Sequence, residues 1–213
     1  ADGTGDINSV VAGTGLSGGG TSGDVTLNVD LLSKIPGTSF ASSLLIGHST
    51  TGTLNDANNN TGVGIQALDA LTSGDDNAAL GNQALSTNAY GASNVAVGAN
   101  ALTVSNSNGN TAIGRNAGVL VNSGTHNVLL GYEAGNNITS GDGNVVIGNA
   151  DVASATGDNQ LSISNGVDGS IVWMTGDSSA NVTVGGTLTS DTGLVKTVGK
   201  ESIWIPAVAM YPN

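Results

Sequence analysis

A repeated motif of 16 or 17 residues constrains the fold of this chain more than any other feature. Each repeat holds a short apolar stretch closed by glycine, and the closing residues are Gly47, Gly64, Gly81, Gly98, Gly114, Gly131 and Gly148. Their successive spacings are 17, 17, 17, 16, 17 and 17 residues. A repeat of this length is too short for a helix pair or a propeller blade, but it suits one coil of a β-solenoid.

Two further columns accompany the glycines. Six repeats begin with Asn, at Asn60, Asn77, Asn94, Asn110, Asn127 and Asn144. Five carry Ala three residues after the glycine, at Ala67, Ala84, Ala101, Ala117 and Ala134. Glycine fits a corner where φ is positive, and asparagine side chains on successive coils can bond to one another. The pattern therefore predicts a glycine corner and an asparagine ladder.

Alternation within the strands predicts which side chains face inward, because alternate residues of a strand share a face. We expect one apolar column to form the core: Ile46, Val63, Leu80, Val97, Ile113, Leu130 and Ile147. The small residues between them, Ala79, Ala96 and Ala112, should then face a neighbouring chain or coil, with Leu129 and Val146 widening that face. One such column buries too little area to offset the chain entropy, which favours association of several chains.

Composition supports a layered structure and excludes several partners. The chain has 34 Gly, 9% charged and 3% aromatic residues, so burial must come from small side chains stacked in layers. Sixteen acidic and four basic residues argue against nucleic acid or an anionic membrane surface as a partner. There is no cysteine, hence no disulfide or thiolate metal site, and no apolar run long enough to insert into a membrane.

We predict three regions. Residues 1–40 read as a small β module and connector, because VTLNV alternates between turn-rich Gly and Ser clusters. Residues 41–165 form the repeat rod, ending in a cap at NQLSIS (159–164). Residues 166–213 form another β segment, which we expect to be incomplete, with SIVWM, NVTVGGTLTS and SIWIPAVAMY as strands and Trp173 and Trp204 as its largest apolar groups.

We expect no catalytic and no cofactor-binding residue. The string 13–18, GTGLSG, matches the dinucleotide fingerprint, but Gly and Ser follow it instead of a helix that could hold a pyrophosphate. Lys200 lacks the neighbours of a phosphate loop, and His48 and His126 lie in separate polar stretches. The only two glutamates, Glu133 and Glu201, fall in different regions, whereas a glycan hydrolase needs paired carboxylates.

We also expect no metal site. The strings SGDDN (73–77), SGDGN (140–144) and TGDN (156–159) lack the ligand spacing of a calcium loop, and we interpret them as tight turns. Arg115 and Tyr132 occupy the same position in successive repeats, where an exposed polar edge is expected and a glycan contact is the alternative.

The strings NTAIGRNAG and NVLLGYEAG, with NVAVGANAL and NAALGNQAL, resemble the N-x-A-I-G-x-x-A repeats of trimeric autotransporter adhesin heads and of many phage tail fibres. The resemblance covers residues 43–150 and implies a left-handed parallel β-roll with three chains around one axis. The adhesin repeat is a little shorter, so the extra residues here should enlarge a loop. The flanks, 5–30 and 200–213, are similar to phage fibre segments and favour that source.

The resulting expectation is an all-β, elongated, homotrimeric solenoid flanked by small β modules. It would be a non-enzymatic structural component of a phage tail fibre in the virion, acting as a rigid spacer and adhering to a host surface polysaccharide. Its other partners would be further tail or fibre proteins. A bacterial trimeric adhesin at the cell surface and a tailspike glycan hydrolase are the alternatives.

Overall fold

The structure, a computed structural model, describes residues 10–11, 16–20, 27–29, 43–46 and 53–186. Every regular element in these residues is a β-strand. Near the N-terminus these are β1 (Val10–Val11), β2 (Leu16–Gly20) and β3 (Leu27–Val29). The others are β4 (Leu44–Ile46), β5 (Thr61–Val63), β6 (Ala78–Leu80), β7 (Val95–Val97), β8 (Thr111–Ile113), β9 (Val128–Leu130), β10 (Val145–Ile147), β11 (Leu161–Ser164), β12 (Val172–Gly176) and β13 (Val182–Val184).

The repeats form the predicted parallel β-solenoid, with about seven turns. Strands β4 to β11 lie side by side in chain order and are all parallel. The register is the same at every step: Ala79 pairs with Ala96, and Ala96 with Ala112. Each coil therefore contributes one strand of three or four residues to a single sheet, and the 16-residue repeat is accommodated without a shift of register.

Antiparallel strands follow and precede the solenoid along the chain. Strand β12 pairs antiparallel with β11, and β13 with β12, which confirms strands in SIVWM and NVTVGG. The N-terminal strands pair antiparallel in the order β1-β2-β3, and β3 lies within the predicted VTLNV strand. Three predicted features lie outside the described residues: the connector at residues 31–36, Trp204 and the SIWIPAVAMY segment.

The predicted assignment of inward and outward faces was wrong. The middle residue of each three-residue strand from β4 to β10 is buried: Ala96, Ala112, Leu129 and Val146 have no exposed surface. The column predicted as core faces outward, and Leu80 is 51% exposed. The interior is narrow because a second set of residues, four after the closing glycine, already fills it with Leu68, Leu85 and Leu102, each 0% exposed. Only a small strand residue fits opposite these leucines.

The glycine corner is confirmed. From Gly64 to Gly148, φ of the closing glycines lies between +98° and +141°, where residues with a side chain are strained. A Cβ added to Gly64 would lie 2.5 Å from the carbonyl oxygen of Gly81. Close stacking of successive coils and the backbone angle both require glycine there. Gly47 and His48 lie outside the described residues.

The asparagine ladder is also confirmed, and it is buried. Asn110 shows the pattern: its Oδ1 accepts hydrogen bonds from the backbone N and Nδ2 of Asn127, both at 3.0 Å. Its own Nδ2 donates to the carbonyl of Gly124 at 2.9 Å. The backbone bond recurs at every step from Ser43 through Asn60 to Asn144 and Gln160, and the side-chain amide bond joins it at most of these steps. The ladder supplies hydrogen-bond partners to buried backbone groups in the turn before each strand, which would otherwise have none.

Candidate functional surface

The outward-facing residues of the sheet form one apolar surface, which we call the strand face. It consists of the first and third residues of each parallel strand. The first row contains Leu44, Thr61, Ala78, Val95, Thr111, Val128, Val145 and Leu161. The third row contains Ile46, Val63, Leu80, Val97, Ile113, Leu130, Ile147 and Ile163.

The strand face continues past the repeats. In β12 and β13, Met174 and Val184 extend the third row beyond Ile163. Gly176 and Val182 extend the first row. Ten strands at about 4.8 Å give a surface roughly 40 Å long. Large apolar side chains on it are substantially exposed, including Leu130 at 45% and Val182 at 55%. A contiguous apolar surface of this extent typically marks an interaction site.

The aspartate-rich strings form turns that tie neighbouring coils together. Asp142 Oδ1 accepts hydrogen bonds from the backbone N of Thr125 at 2.6 Å and from its hydroxyl at 2.9 Å. Asp158 Oδ1 accepts from the backbone N of Asp142 at 2.8 Å, and Asp75 bonds Asn58 in the same way. Residues 43–46 and 53–186 contain no group of three His, Cys, Asp or Glu side chains that could hold a metal ion.

Arg115 and Tyr132 meet on the corner that follows the strands. Arg115 Nη1 donates to the Tyr132 hydroxyl at 3.1 Å, and Cζ lies 5.7 Å from the ring centroid. This is a cation–π contact between two exposed side chains on successive coils. It fixes the ring against the rod and leaves it 44% exposed.

The other residues singled out in the sequence are not brought together. Leu16 to Gly18 of the dinucleotide-like string lie in β2, at the point where that fingerprint places a helix. His126 is exposed at a turn with φ +57°. Lys200 and Glu201 lie outside the described residues. The pairing of Glu133 with Glu201 is therefore not described.

Glu133 instead lines a cavity that was not predicted. The cavity has a volume of about 620 Å³, and we call it the corner cavity. Its walls are Glu133, Asn136, Asn149, Ala150, Asp151, Val167, Asp168, Gly169 and Val172. One wall is formed by residues that follow the closing glycines Gly131 and Gly148. The other is the loop between β11 and β12. The only signal in the sequence is the departure of Asn149-Ala150-Asp151 from the repeat.

Two carboxyl groups of the corner cavity have opposite environments. Desolvation by burial raises the pKa of Asp151, the Asn137 backbone N–H lowers it, and the nearby Glu133 charge raises it further. Hydrogen bonds from the Ser170 hydroxyl, the Asn165 amide and the Ser170 backbone N–H lower the pKa of Asp168 to about 2. Asp168 is therefore ionised at neutral pH and held in one orientation.

No family model, curated protein or solved structure matches this chain. Within the described residues, no helix is long and apolar enough to cross a membrane.

Proposed function

We propose that this chain is a segment of a homotrimeric phage tail fibre, in which the solenoid is a rigid spacer that adheres to a host surface polysaccharide. The observation that carries the proposal is the exposed strand face. Apolar side chains such as Leu80 and Leu130 occupy the outer surface of the sheet, where a single chain leaves about half of each side chain in water. Covering them with equivalent chains removes that surface from water at about 25 cal/mol per Å².

Three chains suit this surface better than a globular partner. The strand face repeats at every coil in one register, so an identical rod aligned alongside it presents matching rows over the whole length. The interior of each coil is narrow, and ten of the twenty described apolar residues that a single chain buries are Ala. The number three comes from the resemblance of the repeats to trimeric adhesin heads.

A rod of this kind serves as a spacer because its coils are tied together by several ladders at once. Strand pairing and the buried asparagine ladder connect each coil to the next, and the aspartate turns add bonds at three of the steps, from Asn58 to Asp75, Thr125 to Asp142 and Asp142 to Asp158. Bending the rod would break them together. Three identical chains also repeat any receptor contact around and along the axis, which increases avidity without new contacts.

The interface is tested by charge substitution. We expect Leu130→Asp to dissociate the trimer, because three carboxylates would be buried together on the axis. Leu120→Asp is the matched control: Leu120 is 50% exposed and lies off the strand face. Sedimentation velocity of both variants should give a monomer for the first and a trimer for the second. A trimer with Leu130→Asp would contradict the assignment of the strand face.

The two alternatives are distinguished by separate experiments. A bacterial trimeric adhesin would be encoded with a membrane-anchor domain, whereas a tail fibre would be encoded among tail genes. A tailspike hydrolase would release reducing ends from the host polysaccharide. We expect no release by the trimer.

A further inference from the structure

We propose that the corner cavity binds an uncharged sugar unit of a surface polysaccharide. This inference rests on the proposed adhesive function and gives it a location. The cavity volume of about 620 Å³ lies within the range typical of small-molecule sites. It interrupts a rod whose surface is otherwise built from repeating coils.

The walls of the cavity are fixed relative to each other. The backbone N of Asn149 donates to the carbonyl of Asn165 at 3.1 Å, and its Nδ2 donates to the carbonyl of Val167 at 3.3 Å. Gly169 packs against the Asn149 carbonyl with φ +69°, which leaves no room for a side chain. The loop between β11 and β12 is thereby held against the last coil, so the cavity is formed before a ligand arrives.

The lining suits hydroxyl groups. The carboxylates of Glu133, Asp151 and Asp168 each accept bonds from neighbouring residues through one oxygen and can accept bonds from a ligand hydroxyl through the other, and such charge-assisted bonds are the stronger kind. The side-chain amide of Asn136 makes no hydrogen bond to any described residue and can donate and accept. Val172 supplies an apolar patch for the C–H face of a sugar ring.

Charge narrows the class of sugar. Three acidic residues and no basic residue line the cavity, so a sialic acid or phosphorylated sugar would be repelled. Arg115 is the only Lys or Arg in the described residues, and its side chain contacts Tyr132.

A metal ion fits the cavity less well than a sugar. No three acidic side chains among the described residues lie close enough together to hold a metal ion. Asp168 Oδ1 already accepts bonds from the Ser170 hydroxyl at 2.7 Å and from Asn165 Nδ2 at 2.9 Å. Carboxylates spread around a wall are suited to a ligand with several hydroxyls.

Saturation-transfer NMR on the full chain tests this proposal. The probes are the methyl glycosides of glucose, galactose, mannose, rhamnose and N-acetylglucosamine, with N-acetylneuraminic acid as the charged sugar. Calcium chloride, which has no proton to observe, is the second charged probe and is titrated by isothermal titration calorimetry. We expect transfer to at least one neutral sugar. Asn136→Trp, which fills the cavity, should abolish it, and Glu133→Gln should weaken it about tenfold or more. Asn82→Trp, an exposed site earlier on the rod, is the control and should leave the transfer unchanged.

The proposal is overturned if no neutral sugar shows transfer, if only a charged probe binds, or if Asn136→Trp leaves sugar binding intact. Native mass measured on the same samples separates this proposal from the fibre proposal. A trimer without sugar binding overturns the cavity assignment alone. A monomer that binds sugar overturns the trimeric fibre alone.

Discussion

Strands β6 to β8 and strands β9 and β10 fill the interior of the solenoid in opposite ways. In the first group each strand has Ala at its centre, and the coil before it carries a buried Leu four residues after the closing glycine: Leu68, Leu85 and Leu102. In the second group the strand centre is Leu129 or Val146, and the same position in the coil before it is Gly118 or Gly135. A Cβ at Gly118 would lie 2.5 Å from Leu129 Cδ1.

This difference indicates that the volume between two successive coils is kept, while the large side chain moves from one position to the other. It also has a conformational consequence, because the residue four positions after the closing glycine has positive φ in both groups. Leu102 has φ +49° and Gly118 has φ +58°. The left-handed region costs a residue with a side chain roughly 1 kcal/mol, which Gly avoids. Where Gly occupies this position, the large side chain is carried instead by the strand of the next coil, on a relaxed backbone.

Removing the large side chain from the second group should have the largest effect on stability. Leu129→Ala leaves a void between Gly118 and Gly135, and we expect a loss of about 2 to 5 kcal/mol in the free energy of unfolding. Denaturant titration at fixed protein concentration measures it, with the exposed Leu120→Ala as the control. A loss of less than about 1 kcal/mol would show that the interior is not closely packed.

The exchange between the two groups can be tested directly. Gly118→Leu alone should destabilise the chain, because its side chain would overlap Leu129. The double variant Gly118→Leu, Leu129→Ala copies the arrangement of Leu102 in an earlier coil. It should recover at least half of the free energy of unfolding that Gly118→Leu alone loses. A double-mutant cycle measures the coupling. Simple additivity of the two losses would contradict the volume argument.

Breaking the ladder common to both groups should have a smaller effect. Asn110→Ala leaves the Asn127 backbone N and the Gly124 carbonyl without these side-chain partners, which should cost about 1 to 3 kcal/mol. Asn82→Ala, which removes only an exposed bond to the Ile65 carbonyl, is the control. Equal effects of the two variants on the denaturation midpoint would contradict a structural role for the ladder.

The smallest expected effect concerns pH and the corner cavity. The pKa of Asp168 is about 2 in the folded chain, below its ordinary value of 3.8, so this group stabilises the fold above pH 3.8. That contribution is lost as the pH falls from 3.8 towards 2. The pKa of Asp151 is raised, so its ionisation opposes folding at neutral pH and the penalty disappears on acidification.

Thermal melts of Asp168→Asn should show a lower midpoint than the native chain near neutral pH and no difference below pH 2. Parallel curves at all pH values would contradict this.

The sequence predicted those features that the backbone itself requires. The 17-residue spacing indicated the coil, the glycines indicated the left-handed corner, and Asn110 and its equivalents indicated the ladder. It did not predict which face of a three-residue strand lies inside, because alternation divides the residues into two sets without saying which set is buried. The larger side chains of Ile113 and Leu130 suggested them as the core. The interior is instead filled by Leu85 and Leu102, which follow the closing glycines by four residues.

The left-handed leucines and the corner cavity could not be predicted for a related reason. Leucine rarely adopts positive φ, so neither local propensity nor repeat spacing indicates Leu85 as a corner residue. The corner cavity joins Glu133 to Asp168 across a reversal of the chain after β11. That contact depends on the hairpin leaving the parallel stack, and no short pattern in the sequence encodes it.

The central claim is that the exposed strand face joins three chains, and the native mass of the protein tests it most directly. Light scattering coupled to size-exclusion chromatography should give a mass of three times 20.7 kDa, about 62 kDa. This mass should persist on dilution and in mild denaturant. A stable species of 20.7 kDa would contradict the account, because the strand face of β4 to β13 would then face water in the native protein.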